Sequence, residues 1–410
     1  MRLVLLSNVV LEGLPVFVGI TNTPRDYAWG ARGAISELLG QKASGAPEAE
    51  LWLGAHPASP SRIIDPAQAG GASDLAAWIA ADPATALGAT TTGQPRLPFL
   101  LKVLAADSPL SLQAHPTAQQ AIAGFAREHA DGIPLTAPDR NYKDAYPKPE
   151  IIYALEDGFE ALCGFRPLAE THAEIARLIA LDVVDPESER GPLHRWLNET
   201  TPGSDLRPVM EWLLSKGTGV RELVDRVVKI SRANPDEFPT AVLLADAYPG
   251  DPGILISQML NRVSLKRGEV LYLAAGNIHS YLKGIGVELM TSSDNVLRGG
   301  LTPKHIDVTE LLDVVDFTPG PAPYLPGVRI DDAVTRFSPP DVDFELTVIS
   351  GDGLIKLGGP AIVLCVDGAF DVTGAAERRP VKVGDSFYST ADEDQLHFVG
   401  SGTAFVAMTV

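Results

Sequence analysis

Cysteine is nearly missing from this sequence: Cys163 and Cys365 are the only two, far apart and each in apolar surroundings. So few thiols exclude a disulfide framework, and their separation excludes a zinc–thiolate site. Both read as small buried hydrophobes. Basic residues are also in short supply, with 33 Lys and Arg against 52 Asp and Glu and a net charge of -19. That balance excludes nucleic acid and anionic membrane as partners, because either needs a basic face. An anionic small molecule remains compatible where a few cations are gathered in its pocket. No apolar run reaches the roughly 18 uncharged residues of a membrane span. Met1-Arg2-Leu3-Val4-Leu5-Leu6 begins like a signal peptide, but Ser7, Asn8, Glu12 and Gly13 interrupt it and no Ala-x-Ala cleavage site follows. Residues 1–15 are therefore expected to be an extension ahead of the fold, and the chain to work in the cytoplasm.

With 410 residues, of which 45% are hydrophobic and 21% charged, the chain suits a globular protein of two or three domains. Residues 16–20, 49–53, 97–104, 151–154 and 160–165 read as strands, with helices over 75–87 and 117–127 and a loop over 131–149. From 167 to 239 the period changes: Ile175, Leu178 and Ile179, then Leu223, Val227, Val228 and Ile230 recur at three and four. A β pattern returns after Ala245, at 270–273, 284–289 and 296–298, with a short helix over 303–312. Residues 319–326 form a Pro/Gly linker. Beyond it, short strands at 344–349, 361–366, 369–372, 386–389 and 404–410 carry the spacing of a small sandwich or barrel. The expected architecture is mainly β: a first β domain over 16–166 and 240–318, a helical insertion over 167–239, and a second β domain over 319–410.

The most informative stretch is Ser111-Leu112-Gln113-Ala114-His115-Pro116. On an extended strand residues i and i+2 share a face, so Gln113 and His115 can aim at one point. Lys148-Pro149-Glu150 and Gly276-Asn277-Ile278-His279-Ser280 can complete the set. One Gln, two His and one Glu make a mixed N/O ligand set suited to zinc or a similar divalent ion. Taken singly each is an ordinary residue, a solvated glutamate or a satisfied core histidine; the argument rests on their occurring together at element ends. His56 is left outside the set, and His129, His172, His194, His305 and His397 read as non-ligands.

Residues 266–279, a glycine turn, a strand, a second glycine turn and a histidine, resemble the second half of the cupin signature. More of the chain resembles the type I mannose-6-phosphate isomerases. The segments are Tyr27-Ala28-Trp29-Gly30, Glu50-Leu51-Trp52-Leu53-Gly54-Ala55-His56-Pro57, Pro98-Phe99-Leu100-Leu101-Lys102-Val103-Leu104, residues 110–116, Asn141-Tyr142-Lys143-Asp144, Lys148-Pro149-Glu150, residues 276–281 and Asn295-Val296-Leu297-Arg298-Gly299-Gly300-Leu301-Thr302-Pro303-Lys304. They run in the family's order between about residues 16 and 315; the C-terminal β domain matches only in general character.

The resemblance implies a cupin-type jelly-roll catalytic domain and a zinc-dependent aldose–ketose isomerase with one Zn2+ per chain. It would be a monomer interconverting mannose 6-phosphate and fructose 6-phosphate, in mannose catabolism or toward GDP-mannose. It implies Gln113, His115, Glu150 and His279 as metal ligands, Arg298, Lys148 and Glu288 as catalytic groups, and Ser111 and Lys304 as substrate contacts. Proton transfer between C2 and C1 requires a cation beside the developing enediolate and a positioned acid–base group. In one respect the chain departs from the pattern. Many bacterial members carry a histidine immediately before the Lys-Pro-Glu run, and Pro147, which cannot titrate, stands there. Two other readings compete: an iron-dependent cupin dioxygenase, against which the glutamine and the surrounding Lys and Arg count, and a metal-binding cupin that is non-catalytic or takes a different substrate.

Overall fold

The computed structural model describes residues 17–88, 95–182 and 191–410; the expected extension over 1–15 lies outside them. One strand organises the first of the two large antiparallel sheets. His279–Thr291 pairs in its first half with Phe159–Phe165 and Gln113–Ala114, and in its second half with Phe99–Ala106 and Glu150–Ala154. The exchange of partners falls at Gly284, whose φ is +120° and where a Cβ would lie 2.8 Å from the Phe159 Cα. Only glycine permits both that backbone and that approach. Leu260–Leu265 and Glu50–Leu53 extend the sheet, Val270–Leu273 pairs with Glu150–Ala154, and Leu297–Arg298 pairs with Gln113–Ala114.

The run Phe99–Ala106 is buried at every residue, as a strand covered on both faces must be. Lys102 is its one charged member.

The second sheet holds every described strand from Val328–Arg329 to Gln395–Thr409, and it also takes in Phe17–Thr21, which pairs with Ser386–Ser389, Phe17 opposite Ser389. That strand was expected to open the first β domain. Its alternation fits either sheet equally, so sequence pattern could not choose between them. The two sheets share one apolar cluster. Val103, Val287 and Leu289 from the first meet Leu346, Ile362 and Phe405 from the second, with the Tyr153 ring edge-on to Phe405 at 5.0 Å. The segments expected over 361–366 and 369–372 are one strand, Ala361–Thr373, with a bulge between Cys365 and Asp367. The linker over 319–326 is stitched to the first sheet, since Tyr272 N–H donates to the Pro323 carbonyl and Leu325 N–H to that of Val270.

Between the sheets' segments lie helices Leu168–Leu181, Pro192–Glu199, Arg207–Leu214, Val220–Ala233, Pro239–Ala247 and Gly253–Ser257. Helix therefore continues beyond residue 239, the expected end of the insertion. Pro239 opens a helix instead of closing one, its fixed φ suiting the first turn. The helix expected over 75–87 is two, Leu75–Ala81 and Pro83–Leu87, because Asp82-Pro83 breaks the first and Asp82 caps the second. No helix among the described residues is long and apolar enough to cross a membrane.

The helical core is not separate from the first sheet. Leu112, Ala114, Ile278 and Leu297 belong to the same apolar cluster as Trp196, Leu213 and Leu223. The apolar members of the motif strands thus face the helices, and the polar members between them face the other way.

Candidate metal centre and its cavity

Leu112-Gln113-Ala114-His115 shows how that alternation builds a site. Leu112 and Ala114 are consumed by the helical core. Gln113 lies directly across the ladder from His279 on one side and Arg298 on the other. Glu150 begins the strand Glu150–Ala154, opposite Leu273 and Met290. Three β elements thereby deliver four candidate ligands to one place, and the ligand atoms of His115, Glu150 and His279 all lie within 4.8 Å of one another.

Both imidazoles are oriented from behind. His115 Nδ1 is 2.7 Å from the Asn295 carbonyl oxygen and His279 Nδ1 is 2.9 Å from that of Asn277. A carbonyl can only accept, so each Nδ1 carries the proton and each Nε2 presents a lone pair. Those lone pairs face Glu150: His115 Nε2 is 3.4 Å from Oε1 and His279 Nε2 is 3.4 Å from Oε2. Glu150 Oε2 is buried with no hydrogen-bond donor. Acceptors facing acceptors in a buried pocket repel unless a cation lies among them, so this donor set fits a divalent ion. The Gln113 amide nitrogen is 3.3 Å from His279 Nε2; a half-turn of the amide offers its oxygen instead.

Lys148 supplies a neighbouring positive charge, its Nζ 2.7 Å from Glu150 Oε1 and 3.5 Å from His115 Nε2. Burial and this ammonium together push the His115 pKa down to about 4 from 6.5. Burial favours a neutral Glu150, but the Lys148 ammonium outweighs it and holds the carboxyl well below its usual range. At neutral pH the pocket therefore offers a free imidazole and a full carboxylate, and a metal ion displaces no proton from His115. This has a stability consequence. The unfolded chain protonates His115 near 6.5 and the folded chain only near 4. The metal-free protein should lose stability as pH falls from about 6.5 toward 4, at up to about 1.4 kcal/mol per pH unit. Denaturant midpoints across that range, for wild type and His115→Gln, measure it; the variant should show a shallower decline.

A cavity of about 440 Å³ opens beside these groups, lined by Ser111, Gln113, Lys148, Glu150, Glu288, Arg298 and Lys304. All the residues proposed for substrate contact or catalysis are among them. Arg298 and Lys304 have no carboxylate within ion-pair distance among the described residues, and burial lowers both pKa values, with Arg298 adding to the effect on Lys304. Two cations without counter-ions beside a cavity make a natural anion site. A larger cavity, about 980 Å³, lies near Tyr146 and the His56–Asp294 pair and holds none of the nine candidates. The smaller one is the better site because its polar groups converge.

Three residues that the sequence pattern did not single out line the same cavity: Glu50, Lys102 and Tyr281. Lys102 Nζ is 2.8 Å from Glu288 Oε2 and 3.4 Å from Glu50 Oε1, and Trp52 donates its indole N–H to Glu50 Oε2 at 2.9 Å. Burial alone would neutralise Lys102, but Glu288 and Glu50 reverse the effect and hold its pKa above the ordinary value. Burial raises Glu288, against the pull of Lys102. The available signal was a lone charge inside an apolar strand, because a buried ammonium requires partners.

Comparison with known proteins extends these findings. Residues 17–168 match the family model for the phosphomannose isomerase type I catalytic domain. Mannose-6-phosphate isomerase of Escherichia coli K12 is 34% identical over 407 residues, spanning 93% of this chain and 97% of that protein. The enzyme of that name from Rattus norvegicus is 35% identical over 376 residues, 84% of this chain and 86% of its own. Among solved structures, the apo form of mannose 6-phosphate isomerase from Salmonella typhimurium matches with a TM-score of 0.83 at 33% identity, covering 96% of this chain and 99% of that one. A mannose 6-phosphate isomerase bound with zinc and yttrium matches with a TM-score of 0.82 at 32% identity over the same shares.

Proposed function

Because this chain belongs to the mannose-6-phosphate isomerase family and is an isomerase, we propose that it interconverts D-mannose 6-phosphate and D-fructose 6-phosphate in the cytoplasm, through an enediol or enediolate. One zinc ion per chain would be held by Gln113, His115, Glu150 and His279. The observation that carries this reading is the buried meeting of two imidazole lone pairs with the Glu150 carboxylate beside a cation-lined cavity. A zinc-bound relative supports the identity of the ion. A divalent ion held by these residues would supply Lewis acidity that favours the negative charge of the enediolate.

The remaining roles follow from charge and position. Arg298, Lys304 and Ser111 take the phosphate end, the guanidinium also favouring the negative charge of the intermediate. Glu288 carries the proton between C2 and C1; its raised pKa brings it toward the working pH, where a general base is effective. Lys148 donates to the substrate oxygen at the other end. No group at Pro147 takes part. In this reading both β units are cupin-type jelly rolls, the catalytic one built on His279–Thr291 and the C-terminal one including Phe17–Thr21. Every residue invoked comes from one copy, so the site requires no second chain, and a monomer is the proposed form.

A coupled assay for fructose 6-phosphate tests the whole proposal. Activity should disappear on chelation, return with zinc at one equivalent, and proceed without oxygen uptake. Lack of turnover by folded, zinc-loaded protein would refute it. Arg298→Ala should raise KM for mannose 6-phosphate by about 10- to 100-fold, the worth of a charged hydrogen bond or two. Initial-rate kinetics at fixed ionic strength measure it.

A further inference from the structure

The helical insertion carries no motif of its own, yet its last turn grips the loop between Arg298 and Lys304. The Asp251 carboxylate reaches out of the insertion and accepts three backbone N–H bonds. Oδ1 takes Gly253 N–H at 2.7 Å and Leu301 N–H at 2.9 Å, and Oδ2 takes Thr302 N–H at 3.4 Å. Leu301 sits in the left-handed region with φ +54° and is fully buried. A leucine holds that conformation only where its surroundings impose it.

Here the backbones themselves are in contact. A Cβ on Gly253 would lie 2.9 Å from Leu301 N, and one on Gly300 2.9 Å from Gly253 Cα. On the other flank of the cavity, the Tyr248 hydroxyl donates to the Pro109 carbonyl at 2.7 Å, two residues before Ser111. The two flanks are tied to each other through Leu112, whose N–H donates to Gly300 and whose carbonyl accepts from Gly299. The segment from Tyr248 to Gly253 thus braces both sides of the cavity's cationic end.

We propose that Asp251 is a positioning residue for the phosphate group of the substrate: by holding the Leu301 and Thr302 amides it sets the loop that presents Arg298 and Lys304 together. The inference rests on those two cations being the phosphate contacts. It makes a prediction opposite in sign to simple electrostatics. Asp251 is a negative charge near an anion site, so through its charge alone its removal would tighten anion binding. Through positioning, removal weakens it, and Asp251→Asn, which keeps an acceptor for Leu301 N–H, restores it.

The test uses zinc-loaded enzyme, with KM and kcat for mannose 6-phosphate and competitive inhibition by inorganic phosphate as readouts. Asp251→Ala should raise both KM and the phosphate inhibition constant by about tenfold, with kcat held within about threefold. Asp251→Asn should stay within about threefold of wild type on all three. Tighter or unchanged phosphate inhibition in Asp251→Ala, or a fall in kcat at constant KM, would overturn the proposal. Should Asp251→Ala fail to fold, Gly253→Ala carries the test, because its methyl would lie 2.9 Å from both Asp251 Oδ1 and Leu301 N and so would push the carboxylate and the loop apart while keeping the negative charge. The same rise is expected, and an unchanged inhibition constant refutes the idea. The underlying reading fails separately: Arg298→Ala and Lys304→Ala would then leave phosphate inhibition untouched.

Discussion

Glu150→Gln is expected to abolish zinc retention and lower turnover of mannose 6-phosphate by at least about a thousandfold, while leaving a protein that folds. The substitution keeps the shape of the side chain and removes its charge. Of the four candidate ligands Glu150 is the one anion, and its two oxygens face the two Nε2 lone pairs at 3.4 Å each. A neutral amide would present an N–H to one imidazole and satisfy it, removing the reason for a cation to enter. The readout that separates a metal effect from a catalytic one is thermal. A ligand present at about 1,000 times its Kd stabilises the folded state by about 4 kcal/mol. Wild type should therefore melt several degrees higher in excess zinc, and Glu150→Gln should show no zinc-dependent shift. His56→Ala, outside the candidate set, should keep the shift. Stoichiometric zinc in Glu150→Gln would sink the assignment.

Much of this centre was legible in the sequence, for a specific reason. Gln113 and His115 are separated by one residue, and the residues between and before them, Ala114 and Leu112, are apolar. Alternation of that kind fixes facing before any partner is known. What the pattern could not supply was the agent that turns the ring nitrogens. His115 and His279 are oriented by the carbonyls of Asn295 and Asn277, and every residue has a carbonyl. Backbone acceptors leave no compositional trace.

The fold divides along the same line. Strands with their own local signature were recognisable: Phe344–Ile349 and Ser386–Ser389 lie at the expected positions. Partner choice was not. Phe17–Thr21 is an alternating strand in either sheet, and it joins Ser386–Ser389 by contacts more than 360 residues away in sequence. The length of His279–Thr291 was underestimated: only 284–289 read as strand, a run that starts at Gly284 and contains Gly286. In the structure these glycines let one strand continue past close neighbours, Phe159 at one and Tyr153 at the other.

Lys102→Met should destabilise the fold by about 3–5 kcal/mol near pH 8, the usual loss when one partner of a buried ion pair is removed. Lys102 and Glu288 are both almost wholly buried, with Nζ 2.8 Å from Oε2. Methionine fills a similar volume against Trp52, so the loss isolates the charge from the packing. What remains is an uncompensated Glu288 carboxylate with Glu50 and Glu150 nearby, all three acting in a low dielectric. Burial and the two carboxylates already raise the Glu288 pKa, and Lys102 is the main counterweight. Without it the carboxyl should rise further and take up a proton well above 4.5.

The sign of the pH effect follows. A carboxyl whose folded pKa exceeds its unfolded value binds the proton more tightly when folded, so its stabilisation is complete below about 4.5 and is lost as pH rises through the folded pKa. Lys102→Met should therefore recover part of its deficit between pH 8 and pH 5. His115 acts in the opposite sense over the same interval, so the variant must be compared with wild type at each pH. Urea midpoints of both proteins at pH 8, 6.5 and 5 provide that comparison. A gap that stays constant across the three would mean that Glu288 remains charged without Lys102, and that the surrounding dipoles, not the lysine, keep it ionised.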